Sequence, residues 1–203
     1  MPDYFSFISW SLIKDIVNVA YPISIVTLGI LGLTTWKRQL RGSHQFEISK
    51  KILTHAYKVQ QSIKNCRNPM LYLSKDEVDK GNALAEKEKI YSARYSKLND
   101  EFIELHSLSL EAKVIFGDMI DTLVSDLNKV IAELKSELWL FFWLQGYYAE
   151  PGTEVDNNPE RVKQNSKIVF WISDDDDFSK KVAEKISNIE NFLYQKVLKQ
   201  YKL

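Results

Sequence analysis

Apolar positions along this chain fall into two kinds of pattern. From Ile16 to Trp36, IVNVAYPISIVTLGILGLTTW, they crowd every side of a helix drawn through the segment, and its twenty-one residues carry no charge. Beyond residue 42 they recur instead at steps of three and four, the repeat of a helix with one buried face.

The first pattern predicts a membrane span. At a helical rise of about 1.5 Å per residue it extends roughly 31 Å, about the thickness of a bilayer's hydrocarbon core. Asn18, Ser24, Thr27, Thr34 and Thr35 dilute its apolarity, and Pro22 is expected to bend or break the first turn. Serine and threonine are tolerated in lipid because their hydroxyls bond to their own helix backbone.

The second pattern predicts four helices. Ile48, Ile52, Ala56, Val59, Ile63 and Cys66 form one seam, closed at Asn68-Pro69 because the residue before proline avoids the α region. MLYL then forms a short loop. Ser74, three residues before Glu77, reads as a capping box opening a second helix, whose seam is Tyr91, Tyr95, Leu98, Phe102 and Leu105 and whose end falls near His106. A third, starting between Leu108 and Leu110, carries Phe116, Ile120, Leu123, Leu127, Val130, Leu134 and Leu138 and stops near Gly146. Residues 150–166 are polar, hold Pro151, Gly152 and Pro159, and read as loop. Lys167–Ser173, KIVFWIS, reads as a short strand or an extended apolar plug. Asp174–Asp177 precede a last helix with the face Phe178, Val182, Ile186, Ile189, Leu193 and Val197. The expectation is an all-α chain. A short extracytoplasmic or interfacial N-terminus (1–15) and a transmembrane helix (16–36) lead into a cytoplasmic helical domain (37–203) built as an antiparallel four-helix bundle.

Charge sets the expected orientation. Residues 1–36 hold only Asp3, Lys14 and Asp15, so the other 26 of 27 basic and 25 of 27 acidic groups lie beyond. That balance gives no reason to expect nucleic acid as a partner. Lys37, Arg38 and Arg41 follow the apolar run directly, with Lys50 and Lys51 soon after. The positive-inside rule therefore puts the C-terminal side in the cytoplasm and the N-terminus outside, a single pass through the inner membrane. Trp36 suits the headgroup layer, and the aromatic residues 4–13, YFSFISWSLI, suit the outer interface. Basic groups on the first helix, Lys50, Lys51, Lys58, Lys64 and Arg67, would begin beside an anionic leaflet, with a bend near Gly42. Two other readings compete. A cleaved signal would want its positive charge before the apolar run. A core helix of this length without a charged edge is unusual in so small a domain.

Candidate chemistry is sparse. No glycine-rich phosphate loop or GxSxG elbow occurs. His44, His55 and His106 lack the Glu three residues earlier that a di-iron bundle needs, and His55 and Cys66 stand three turns, roughly 16 Å, apart. Asp174–Asp177 read as helix capping rather than a cation loop. The pairs Glu101/Glu104 and Asp118/Asp121 read as solvated helix faces. No catalytic, metal or cofactor residue is assigned. Cys66 is the sole cysteine, which fits a reducing compartment.

The most distinctive surface candidate is aromatic. Trp139, Phe141, Phe142, Trp143, Tyr147 and Tyr148 crowd the third helix end, and Phe170 and Trp171 return soon after. They read either as a satellite core under KIVFWIS or as a partner-docking patch centred on Trp139, Phe142 and Trp143. Trp36-Lys37-Arg38-Gln39-Leu40, Gly42 and Arg67-Asn68-Pro69 resemble a pattern in uncharacterised bacterial membrane-anchored helical proteins. The resemblance covers about a fifth of the chain; it implies an anchor and a cytoplasmic helical domain, with no activity attached. Three functional expectations follow. The first is a membrane-tethered, non-catalytic interaction or sensory module. The second is a membrane-perturbing effector, such as a toxin or defence component, motivated by Asn18, Pro22 and Gly29/Gly32. The third is an enzyme with an unrecognised carboxylate site.

Overall fold

Both patterns fold as helix. The computed structural model describes residues 10–198 apart from 151, 154, 156 and 157, with side chains from residue 14 to 197. Six helices follow one another: α1 (Trp10–Cys66), α2 (Lys75–Asp79), α3 (Ala83–Phe116), α4 (Met119–Leu144), α5 (Pro159–Val169) and α6 (Asp177–Leu198). No strand occurs among the described residues. The chain divides into two compact units, residues 1–45 and 46–203, and α1 contributes to both.

In the first unit α1 is long and apolar enough to cross a membrane, and none of its most apolar window is buried. Pro22 lies inside it without interrupting it, so of the bend or break expected in the first turn, the break does not occur. Its missing N–H and ring clash are local costs that the long run of flanking helical bonds absorbs. The hydroxyls of Ser24, Thr27 and Thr34 donate to the carbonyls of Ala20, Ile23 and Leu31, so the polar atoms are satisfied within the helix. Of the expected interfacial segment 4–13, residues 4–9 lie outside the described residues, and Trp10–Ile13 are described as backbone only.

The second unit is built around one core. Every residue of the first seam, Ile48 to Cys66, is buried, as are Tyr91, Leu98 and Leu105 of α3, and Phe178, Val182, Ile186, Ile189 and Leu193 of α6. The α4 seam buries Ile120, Leu127, Val130, Leu134 and Leu138, and Val124 and Ile131 widen it. Burial of such side chains stabilises by about 1.5–3 kcal/mol each, against about 0–1 for exposed ion pairs, so the seams dominate. Helix α4 packs on α3, α5 and α6. Pairings fix the helix directions. Glu101 meets His55 and Lys58 while Arg94 donates to the Asn68 and Met70 carbonyls, so α3 runs against α1. Tyr91 rings meet Phe142 at one end of the α3–α4 pair and Lys113 meets Asp121 at the other, so α4 runs against α3.

Three boundaries differ from the sequence reading. No helix breaker stands at His106, and α3 continues to Phe116; the break is Gly117, whose φ of +82° suits only glycine, and the next helix starts at Met119 rather than at 108–110. The helix expected from Ser74 is cut at Gly81, leaving the five-residue α2. Ser74 makes no side-chain cap, and Glu77 bonds Lys80 and Asn82 instead of reaching back. The polar stretch 150–166 is not all loop. Asn158 accepts from the N–H of Glu160, Pro159 takes the first helical position, and α5 runs through to Val169. KIVFWIS is therefore neither strand nor plug as a whole: its first three residues end α5, and Phe170–Ser173 form the irregular link to α6.

Candidate docking face

The aromatic residues are gathered by a helix stop. At the end of α4 Gly146 adopts φ +80°, and Tyr147 N–H donates to the Phe142 carbonyl, which turns the chain back over the last helical turn. Tyr147 and Tyr148 are thereby laid beside rings from α4.

The two readings of these aromatics divide the residues between them. Phe142 is 3% exposed and meets Tyr91, Phe141, Tyr147 and Tyr148 at centroid distances of 5.1–6.5 Å. Phe170 meets Phe141 edge-on at 5.3 Å. These form the satellite core. Trp139 is 53% exposed and lies nearly parallel to Tyr148 (8°, 6.0 Å) and to half-buried Trp143 (20°, 6.5 Å). Trp139, Trp143, Tyr147 and Tyr148 thus form an outward aromatic face above a packed base. A small cavity of about 170 Å³ opens beside it, lined by Glu88, Tyr95, Lys135 and Trp139 among others. Glu88 accepts from Ser92 and from the Tyr148 hydroxyl. Burial first, and then the charge and hydrogen bond of Glu88, hold the Tyr148 phenol above its ordinary pKa.

A second cluster joins α1 to α6, and the sequence reading placed its key residue wrongly. Arg67, the last of the basic groups expected along the first helix, is buried, 1% exposed. Its Nε donates to the Ile168 carbonyl at 2.6 Å, Nη1 to Ser179 Oγ at 2.8 Å, and Nη2 to the Lys167 and Phe170 carbonyls and the Asp176 carboxylate at 3.0–3.2 Å. The ring of Phe178 covers it at 4.7 Å. In return the Arg67 carbonyl accepts from Trp171 N–H at 2.7 Å. A signal existed: Arg67 stands four residues after Ile63, in phase with the buried seam.

Asp176 is the capping member of the acidic run, accepting from Ser179 N–H at 2.7 Å. Burial by itself would raise its pKa; the Ser179 N–H and Arg67 overcome that and hold it below the ordinary carboxylate value. Desolvation lowers the pKa of Arg67, opposed by Asp176. Asp174 pairs with Lys64, whose ammonium also covers Trp171 at 4.3 Å. A cleft of about 380 Å³ lies beside this junction, lined by Tyr57, Gln60, Lys64, Trp171 and Ser179 among others.

The remaining candidates are placed as follows. Burial pushes the Cys66 thiol up to about 12, so it stays protonated and unreactive. Glu101 pairs with His55 and Lys58, and Asp118 and Asp121 share Lys113. Among the described residues no three His, Cys, Asp or Glu side chains group as metal ligands. Lys37, Arg38 and Arg41 continue α1 directly beyond the apolar run. Comparison with protein-family models, with curated proteins and with solved structures gives no match to this chain.

Proposed function

We propose that the protein is a membrane-tethered interaction or sensory module without catalysis. In this reading residues 16–36 are a single-pass anchor and residues 46–203 an antiparallel four-helix bundle of α1, α3, α4 and α6, braced by α5, on the cytoplasmic side. The observation that carries it is the contrast in burial: the most apolar stretch of the chain is wholly exposed, while the periodic seams are buried at most of their positions and partly buried at Tyr95, Phe102, Leu123 and Val197. Twenty-one uncharged residues left in water would be a severe aggregation liability; in a bilayer they are at home. Lys37, Arg38 and Arg41 then sit where an anionic cytoplasmic leaflet attracts them, each contributing about 1 kcal/mol near the surface. The hydroxyls of Ser24, Thr27 and Thr34 donate to the helix's own carbonyls, which suits a helix surrounded by lipid.

The task itself is assigned to the Trp139, Trp143, Tyr147 and Tyr148 face, with Phe142 as its buried base. Exposed tryptophan and tyrosine over a rigid support is the composition of an interface hot spot. The test is a photo-crosslinking residue placed at Trp139 and, as a control, at the exposed Tyr194 of α6. A discrete adduct from position 139 alone supports a docking face. The same smear from both positions, or no adduct at 139, contradicts it.

A further inference from the structure

Helix α3 is apolar on two sides. Its inner side is the seam of Tyr91, Leu98 and Leu105, continued by Ser109, Ala112 and Phe116. Tyr91 belongs to that seam even though its hydroxyl is buried without a hydrogen-bond partner. The outer side carries Ile103, Ser107, Leu110 and Val114, at steps of four, three and four. Ile103 is 55% exposed, Leu110 48% and Val114 90%.

Steps of four and three are the a and d repeat of a two-stranded coiled coil. With Ile103 and Leu110 at d and Ser107 and Val114 at a, the flanking e positions are Glu104 and Glu111, and the g positions His106 and Lys113. Every one of these a, d, e and g residues is exposed, whereas Leu105 and Ala112, at f on the opposite side, are buried. The outer side of α3 is therefore one complete half of a pairing seam, nearly two heptads long.

We propose that this face pairs in parallel with the α3 of a second copy of the chain. Charge argues for both the occupant and the direction. In a parallel pair each g residue faces the e residue five positions later on the other helix. That sets Asn99 of one copy against Glu104 of the other, and His106 against Glu111. The His106 side chain is 49% exposed, with Asp121 of its own chain 4.0 Å away. Lys113 stays with its own Asp118 and Asp121. An antiparallel pair would instead bring e against e, placing Glu104 of each copy against Glu111 of the other, a like-charge contact made twice. The patch thus complements itself about a two-fold axis, as isologous dimers require. Ser107 puts one polar layer between apolar ones, a device that holds register.

Copies tethered through N-terminal spans in one bilayer would share a direction and meet in this parallel sense. That support rests on the anchor reading; the spacing and the charges do not. So short a seam buries little area, so the pair is weak between free molecules and gains from the local concentration that a shared membrane supplies.

The test is disulfide trapping of the full chain in intact expressing cells, using a membrane-permeant oxidant before fractionation. Cys66 is buried, its thiol pushed up to about 12, and does not compete. Ile103→Cys and Leu110→Cys should each form a disulfide dimer about tenfold or more faster than Tyr194→Cys, at an exposed position of α6. Differently tagged Ile103→Cys and Val114→Cys chains, expressed together, should give like-with-like dimers rather than the mixed one. Leu110→Glu, added to Ile103→Cys, should slow its trapping about tenfold and leave the melting temperature of the purified chain unchanged. Equal rates at positions 103, 110 and 194 would overturn the pairing. A dominant mixed dimer would overturn its direction, and indifference to Leu110→Glu would remove the stripe from it. The fraction in which the dimer is recovered, membrane or soluble, reads the anchor separately.

Discussion

Residues 16–36 and residues 48–66 belong to the same helix, yet they relate to their surroundings in opposite ways. In the first stretch every described side chain is exposed, and its apolar groups lie on all faces. In the second, Ile48, Ile52, Ala56, Val59, Ile63 and Cys66 vanish into a core while Lys50, Lys51 and Lys58 stay outside. Secondary structure is identical, and total apolarity does not distinguish a span from a core helix by itself. Angular distribution separates the two stretches: a stripe asks for protein on one side, and a full circumference asks for apolar surroundings on every side, in a bilayer or in a protein core.

Four predictions sharpen or break this contrast. The largest effect is expected at the end of the second stretch. Arg67→Met removes the counter-charge of Asp176 and the donor to three carbonyls, and should lower the unfolding free energy of the second unit by about 3–5 kcal/mol in urea titrations. A loss near zero would mean that Asp176 and the link rearrange freely, and that the junction is not structural.

The next is a matched pair on one helix. Ile52→Ala should cost about 2–4 kcal/mol in the same titration, whereas Ile25→Ala should leave that transition unchanged. Ile25→Lys should instead impair membrane insertion, by about 2.5–3.5 kcal/mol if the residue lies near mid-bilayer, read as the fraction of chain resisting alkaline extraction. An Ile25→Ala loss comparable to that of Ile52→Ala would demote the first stretch to a core helix.

A smaller effect follows from pH. Asp176 has its folded pKa depressed, so its contribution is fully present above the ordinary carboxylate value and is lost as pH falls through the folded value. Wild-type protein should therefore lose more stability between pH 7 and pH 3 than Asp176→Asn does. Parallel pH profiles would remove Asp176 from the account. The smallest is Asn158→Ala, which deletes the cap of α5 and should cost about 1 kcal/mol of stability, with loss of helix confined to residues 159–169 in hydrogen exchange.

How much of this was legible beforehand varies by element. The seams of α1, α4 and α6 are visible because three- and four-residue steps translate directly into burial. The α3–α4 junction was missed because Gly117 sits inside an apolar run, and only its backbone angle reveals the turn. Helix α5 was hidden by its polar composition: its buried face is little more than Val169 and Asn165, and the latter is held by donating to the Glu137 carbonyl and carboxylate. A polar residue in a buried phase reads as surface in sequence, and the same confusion hid Arg67. The aromatic face was legible as a cluster, but which rings are core and which are exposed depends on the turn at Gly146. In sequence Tyr91 reads as one more seam residue, since nothing in a sequence tells whether a phenol finds a partner.

The central claim, that the exposed stretch crosses a bilayer and leaves the folded unit in the cytoplasm, is tested most directly by protease accessibility of a C-terminal tag on the full chain expressed in a bacterial host. Protection in intact spheroplasts with digestion in inverted vesicles is the predicted result. Digestion in intact spheroplasts would contradict the orientation, and a tag recovered in the soluble fraction would contradict the anchor.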